Sequence, residues 1–181
     1  RKGNPQVWNL DGTLGFELKG HSGRLMSSYF FNKDKYLTSC YDDIIRVFNE
    51  SGHLIEKIEF SSNITASALS QDNEKGAIAR ERLIDSIPHL TVEIFDKELH
   101  SINTLNQIIV ELDSTCINKD KSITTLSFSA DGKFLSAGSV DGAVTIWDRE
   151  NDSLRSNFEI DCDEVFYLEF SLNNEELTMG S

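Results

Sequence analysis

Positive charge is in short supply in this sequence. Seventeen Lys and Arg stand against thirty Asp and Glu in 181 residues, a formal charge of −13. A surface of that sign repels a phosphate backbone and an anionic bilayer surface, so neither nucleic acid nor a membrane is expected as a partner. No apolar run approaches the ~18 residues needed to span a bilayer. Cysteine is scarce too: Cys40, Cys116 and Cys162 are odd in number and show no CxxC spacing. That predicts free thiols in a reducing compartment, hence an intracellular, cytoplasmic or nuclear protein.

The usual marks of chemistry are also missing. His21, His53, His89 and His100 have no metal-like spacing. There is no dinucleotide-binding or Walker loop, no GxSxG elbow, and no Cys paired in sequence with a base. Asp161-Cys-Asp-Glu164 lacks the glycine and ligand ladder of a calcium loop and reads as an acidic surface segment. The sequons at Asn63 and Asn151 are short enough to arise by chance. No cofactor, no metal and no enzymatic activity is expected.

What the chain does have is β structure. Hydrophobic residues make up 39%, or about 45% with the 11 Gly, an ordinary globular share. Runs rich in Val, Ile, Phe and Thr dominate, and helical periodicity is hard to find. The best-formed stretch is Ser122 to Asp148, SITTLSFSADGKFLSAGSVDGAVTIWD. Two β-like runs flank a turn at Asp131-Gly132, and a second turn at Asp141-Gly142 leads to a third run ending on Trp147-Asp148. Counterparts of that Trp-Asp pair are Phe95-Asp96, Phe48-Asn49 and Trp8-Asn9. The spacings are 48−8 = 40, 95−48 = 47 and 147−95 = 52. Each pair is followed by a turn and a further β-like run: LGFELKG, LIEKIEF, SINTLN and LRSNFEI.

Three short antiparallel strands closed by Trp-Asp, recurring about every 40–45 residues, resemble the repeat of the WD-repeat (WD40-type) β-propellers. The resemblance implies an all-β fold of four-stranded antiparallel blades. It divides the chain into the end of a blade (1–20), three blades (21–60, 61–121 and 122–161) and the start of the next (162–181), in total roughly 3.5–4 blades. The longer spacings place insertions at IARERLIDSIPHLTVEIFD, where Pro88 breaks a link around Arg80–His89, and at INTLNQIIVELDSTCINKDKS. About half of a closed ring is expected, a segment of a longer propeller or one closed by missing blades or another chain.

In this family a His before the first strand, a Ser or Thr on the second, an Asp in the following turn and the Trp share hydrogen bonds. Residue by residue, the resemblance transfers to His21 and Asp42, with Thr38 or Ser39 nearby, and to Ser139, Asp141 and Trp147. Phe48 stands where the Trp would be, and no repeat has the full set. The blades are therefore expected to lean on apolar packing by Leu126, Phe128, Phe134, Ile146, Phe95, Phe30 and Phe48. The resemblance further implies a non-enzymatic interaction scaffold whose protein partners dock on loops at one face, at Arg24, Asn63, Ser122 and Glu164 before the first strands and at Tyr41 and Val140 before the turn aspartates. The alternative is a peptide- or ligand-recognition or sensor propeller within a larger multidomain protein. The Arg80–His89 insertion is a second candidate surface.

Overall fold

The computed structural model describes residues 3–31, 34–84, 87–105, 121–160 and 163–181, with the backbone alone for 82–84 and 87–88. Cys116, Cys162 and the insertion at 106–120 lie outside the described residues, as does Asp161 of the acidic segment. The chain divides into two compact units, Arg1–Ile64 and Thr65–Ser181. Among the described residues every regular element is a strand.

The first unit holds a two-stranded hairpin, β1 (Gln6–Trp8) with β2 (Leu14–Glu17). It also holds a four-stranded sheet in chain order: β3 (Leu25–Phe31), β4 (Lys35–Cys40), β5 (Ile44–Phe48) and β6 (Leu54–Glu59). β4 and β5 run buried almost without alternation, which is the pattern of strands covered on both faces. β6 is exposed along its length and carries Glu56, Lys57 and Glu59, charges that discourage edge-to-edge pairing.

The second sheet is β7 (Asn63–Leu69), β8 (Lys75–Ile84), β9 (Ile87–Asp96) and β10 (Ser101–Leu105). The third is β11 (Ile123–Phe128), β12 (Phe134–Ser139), β13 (Ala143–Asp148) and β14 (Ser153–Glu159), followed by the hairpin β15 (Tyr167–Phe170) and β16 (Leu177–Gly180). The core of the second unit lies between sheets. Ala66, Ala68, Ala77 and Ala79 face the larger Ile123, Leu126, Leu135 and Trp147. Small side chains on one sheet leave room for large ones on the next, as close packing requires. Val144 and Ile146 pack in the same manner against Val165, Leu168 and Leu177.

The turns show why the repeat has its sequence. Between first and second strands, Ser129 donates to Asp131, whose carboxylate also accepts from the Lys133 amide, while Gly132 turns with φ +70°. Ser70 with Asp72 and Ser171 with Asn173 repeat the arrangement. Between third and fourth strands, Asn49 accepts from the amides of Ser51 and His53, Asp96 from those of Glu98 and His100, and Asp148 from that of Glu150. After Phe48, Phe95 and Trp147 the Asp or Asn is thus an Asx turn that reverses the chain into the outer strand, whereas in the first hairpin Asp11 takes that part by accepting from the Thr13 amide.

Two sequence expectations need correction. The link around Arg80–His89 is a ladder: β8 and β9 pair from Lys75↔Asp96 through to Ile84↔Ile87, with Pro88 opposite Leu83. Proline sits near the far end of this ribbon, where a missing ladder donor costs least. Phe30 is not a packing residue; its side chain is 72% exposed. The other named apolar residues are buried or half-buried, Phe134 against Phe170 and under the Arg155 guanidinium.

Candidate functional site

In the first unit the turn from β4 to β5 is built on charge. Asp42 accepts from the amide and hydroxyl of Ser22, at 2.9 and 3.0 Å. From the other side it takes both ends of the Arg46 guanidinium, at 2.9 and 2.7 Å. The Arg46 side chain is 5% exposed and that of Asp42 8%. Burial works to raise the Asp42 pKa, but the guanidinium fork and the Ser22 donors overcome it and hold the carboxyl well below its ordinary range. His21 lies beside this pair. Its Nε2 is 2.8 Å from the Thr38 hydroxyl, its ring stacks on Phe48, and its buried Nδ1 makes no hydrogen bond of good geometry among the described residues. Burial, then the charge of Arg46, push its pKa down, so the ring is held neutral.

The arrangement differs from the expected set of His, Thr and Asp. Thr38, not Ser39, bonds to His21; Ser39 bonds to Ser27. The fork of Arg46 holds Asp42. Sequence reasoning missed Arg46. The available signal was the broken alternation of DDIIRVF, in which a charge falls inside an otherwise apolar strand.

Two exposed residues adjoin this cluster. Tyr41 donates its amide to the Arg24 carbonyl at 2.9 Å, so the two residues are held together by backbone. Tyr41 is 56% exposed and Arg24 is exposed as well. Gly23 permits the approach: a Cβ there would lie 2.8 Å from the Asp42 amide nitrogen and the Tyr41 carbonyl carbon. Among the described residues Arg24 takes part in no ion pair. Behind the turn, Cys40 is buried, and burial pushes its thiol pKa up. Asn63 is exposed at the start of β7.

The second unit repeats the backbone pattern with other chemistry. Val140 donates its amide to the Ser122 carbonyl at 3.0 Å, as Tyr41 does to Arg24. Ser139 and Asp141 are both buried; the Ser139 hydroxyl reaches the Asp141 carboxylate and the Ala143 backbone, so they close the turn from within. Trp147 is 1% exposed. Ser122 is partly buried, and its hydroxyl donates to Glu81 at the base of the β8–β9 ribbon. Val140 is half-buried and Glu164 exposed. The Val165 amide bonds to the Ser139 carbonyl, which brings the segment carrying Glu164 alongside this turn. The structure therefore pairs Arg24 with Tyr41 and groups Ser122, Val140 and Glu164 around one turn of the other unit. Among the described residues no cluster of His, Cys, Asp or Glu could hold a metal ion, and no helix is long and apolar enough to cross a membrane.

Comparison with known proteins gives two findings. Residues 12–49 and 111–148 match the family described as "WD domain, G-beta repeat". The first match runs from the turn before β2 to the end of β5. The chain is also 25% identical to the Periodic tryptophan protein 2 homolog of Mus musculus over 181 residues, which covers 95% of this chain and 20% of that protein. The chain thus spans about a fifth of the length of the curated relative it matches. The four-stranded antiparallel sheets, the recurrent aromatic-Asp/Asn turns and these matches together support a WD-repeat family for the chain.

Proposed function

We propose that this chain is a non-enzymatic scaffold that binds protein partners through the loops between strands. WD repeats generally mediate protein–protein interaction. The observation that carries the reading here is the Arg24–Tyr41 pair: an exposed cation and an exposed aromatic held side by side by a backbone bond, over a buried, fully engaged ion pair. Arg and Tyr dominate interface hot spots because each combines large contact area with directed hydrogen bonds. A rigid support under them lowers the entropy lost on binding. Asn63 belongs to the docking surface of this unit; in the other unit Ser122, Val140 and Glu164 form a docking patch of their own, with Ser122 acting by positioning Glu81. Protein partners fit the acidic surface better than nucleic acid or a membrane does. An intracellular setting, cytoplasmic or nuclear, accords with the buried Cys40 thiol. Closing of the ring by further blades or another chain belongs to the same reading.

The test replaces Arg24 and Tyr41 together by Ala and compares quantitative affinity capture from cell extract. Bound partners should fall about tenfold or more, since two hot-spot truncations cost roughly 2 kcal/mol or more. The thermal midpoint should stay within about 1–2 °C, because exposed side chains away from caps and cores change stability little. Equal capture by the wild type and the double variant would remove this patch from the surface. A second reading, recognition of a short peptide, is favoured by the unpaired guanidinium, which is shaped to fork a carboxylate or phosphate. On a peptide array, binding that is lost in Arg24→Lys as well as Arg24→Ala selects that reading.

A further inference from the structure

The segment between β2 and β3, residues 18–24, inverts the charge of the chain around it. Leu18-Lys-Gly-His-Ser-Gly-Arg24 holds two full cations and no acid, in a protein of formal charge −13. Lys19 and Arg24 are both exposed and take part in no ion pair among the described residues. Between them stands Ser22, exposed as well, with its hydroxyl 3.0 Å from Asp42 Oδ2. The same oxygen accepts from the Ser22 amide at 2.9 Å and from Arg46 Nη2 at 2.7 Å. An accessible hydroxyl is thus a direct partner of the buried carboxylate on which the β4–β5 turn is built. At the equivalent turn of the second unit, Asp141 takes its hydroxyl from Ser139, and both are buried.

A phosphate on Ser22 would reverse the chemistry of that contact. The hydroxyl donates to Asp42; a phosphoester oxygen cannot, and the group sets about −1.5 to −2 charges beside a carboxylate at neutral pH. Asp42 and Arg46 already balance each other, so the added charge meets no spare cation within the turn. It therefore competes with Asp42 for the Arg46 fork, which suits phosphate as well as carboxylate. Arg24, two residues on and without an ion pair, is drawn to it as well. Both movements act on one backbone bond, from the Tyr41 amide to the Arg24 carbonyl, because Tyr41 precedes Asp42 and Arg24 follows Ser22 by two. Gly20, at φ +111°, and Gly23 flank the His21-Ser22 pair, so the backbone can rotate there at little cost when the segment lifts.

We propose that Ser22 is a phosphorylation site, modified by a protein kinase that reads the flanking cations, and that its phosphate takes apart the Arg24–Tyr41 surface. In the transfer the Ser22 oxygen attacks the γ-phosphorus of a nucleoside triphosphate held by the kinase. The bond from that phosphorus to the bridging oxygen breaks, the nucleoside diphosphate leaves, and the hydroxyl proton passes to a base of the kinase. The consequence for binding rests on the docking function proposed above; the modification and its effect on the turn do not. Two measurements test it. Recovered from its own cells with phosphatases inhibited, the protein should carry phosphate on Ser22 by mass spectrometry, and Lys19→Glu should lower the occupancy about tenfold, because kinases select substrates by charge pattern. An unmodified Ser22, or an occupancy indifferent to Lys19→Glu, overturns the site. Second, phosphoserine built into the 181-residue chain at position 22 should speed exchange of the Tyr41 amide about tenfold or more through like-charge repulsion in the turn. It should also lower partner capture to the level of the Arg24→Ala/Tyr41→Ala variant. Unchanged exchange at Tyr41 overturns the switch. Exchange is read without a partner, so failure of the docking function shows separately, as a double variant that captures like the wild type.

Discussion

Replacing Arg46 by Met should destabilise the first unit severely. Met keeps the length of the side chain and removes the guanidinium, so packing changes little and the electrostatics change a great deal. Asp42 would then keep only the two Ser22 donors of its four close hydrogen bonds, with its side chain 8% exposed. Leaving one partner of a buried pair uncompensated costs about 3–5 kcal/mol, and the surviving Ser22 bonds place this case near 3. Asp42→Asn should cost a similar amount, because it strands the buried guanidinium. The double variant should cost less than the sum, with a coupling of about 1–3 kcal/mol. Urea denaturation read by Trp8 fluorescence, in a Trp147→Phe background, measures this in the unit that holds the pair. The pH dependence gives a second check. The folded pKa of Asp42 lies below its ordinary 3.8, so the stabilisation is complete above about pH 4 and is lost as pH falls further. The gap between wild type and Arg46→Met should therefore be widest at neutral pH and close in acid. A cost under about 1 kcal/mol at pH 7, or a gap that persists unchanged at pH 2, refutes the reasoning.

Other outcomes follow from the same structure. Trp147→Ala, at a fully buried site, should cost about 3–5 kcal/mol in denaturant titration of the 181-residue chain, whereas Trp8→Ala, at an exposed one, should cost under about 1. Because His21 is held neutral, its contribution should be full above about pH 6.5 and fall as the unfolded chain takes up a proton below that; His21→Gln should flatten the stability profile between about pH 7 and 5. Gly23→Ala should lower the thermal midpoint and disorder the Arg24–Tyr41 pair, visible as loss of protection of the Tyr41 amide in hydrogen exchange. Asp152→Ala removes the carboxylate that joins Asn103 to the buried Arg149 guanidinium; it should cost a few kcal/mol and speed exchange in β10.

The strands and their turns were legible because local chemistry encodes them. Asp or Asn directly after Phe48, Phe95 and Trp147 satisfies turn amides, and that requirement survives even where Trp has become Phe. The site was legible only in outline. Arg24 and Tyr41 could be placed together because a hairpin register brings them there. Arg46 could not be read, since a buried cation depends on an anion supplied from the preceding turn. The β8–β9 ribbon was misread because charges and Pro88 interrupt its pattern, although ladder pairing proceeds through them.

Gly76 and Phe95 face each other across β8 and β9, and a Cβ on Gly76 would lie 2.1 Å from the Phe95 ring. The equivalent pairs are Leu135 with Trp147 and Tyr36 with Phe48. The ring in one strand thus occupies the volume its cross-strand neighbour has surrendered. Such positions are inherited as pairs: a drifting repeat can pass from one solution to another only through an intermediate with a void or a clash. Chimaeras that exchange β8 or β9 singly among these blades should misfold, and those that exchange the two strands as a unit should not.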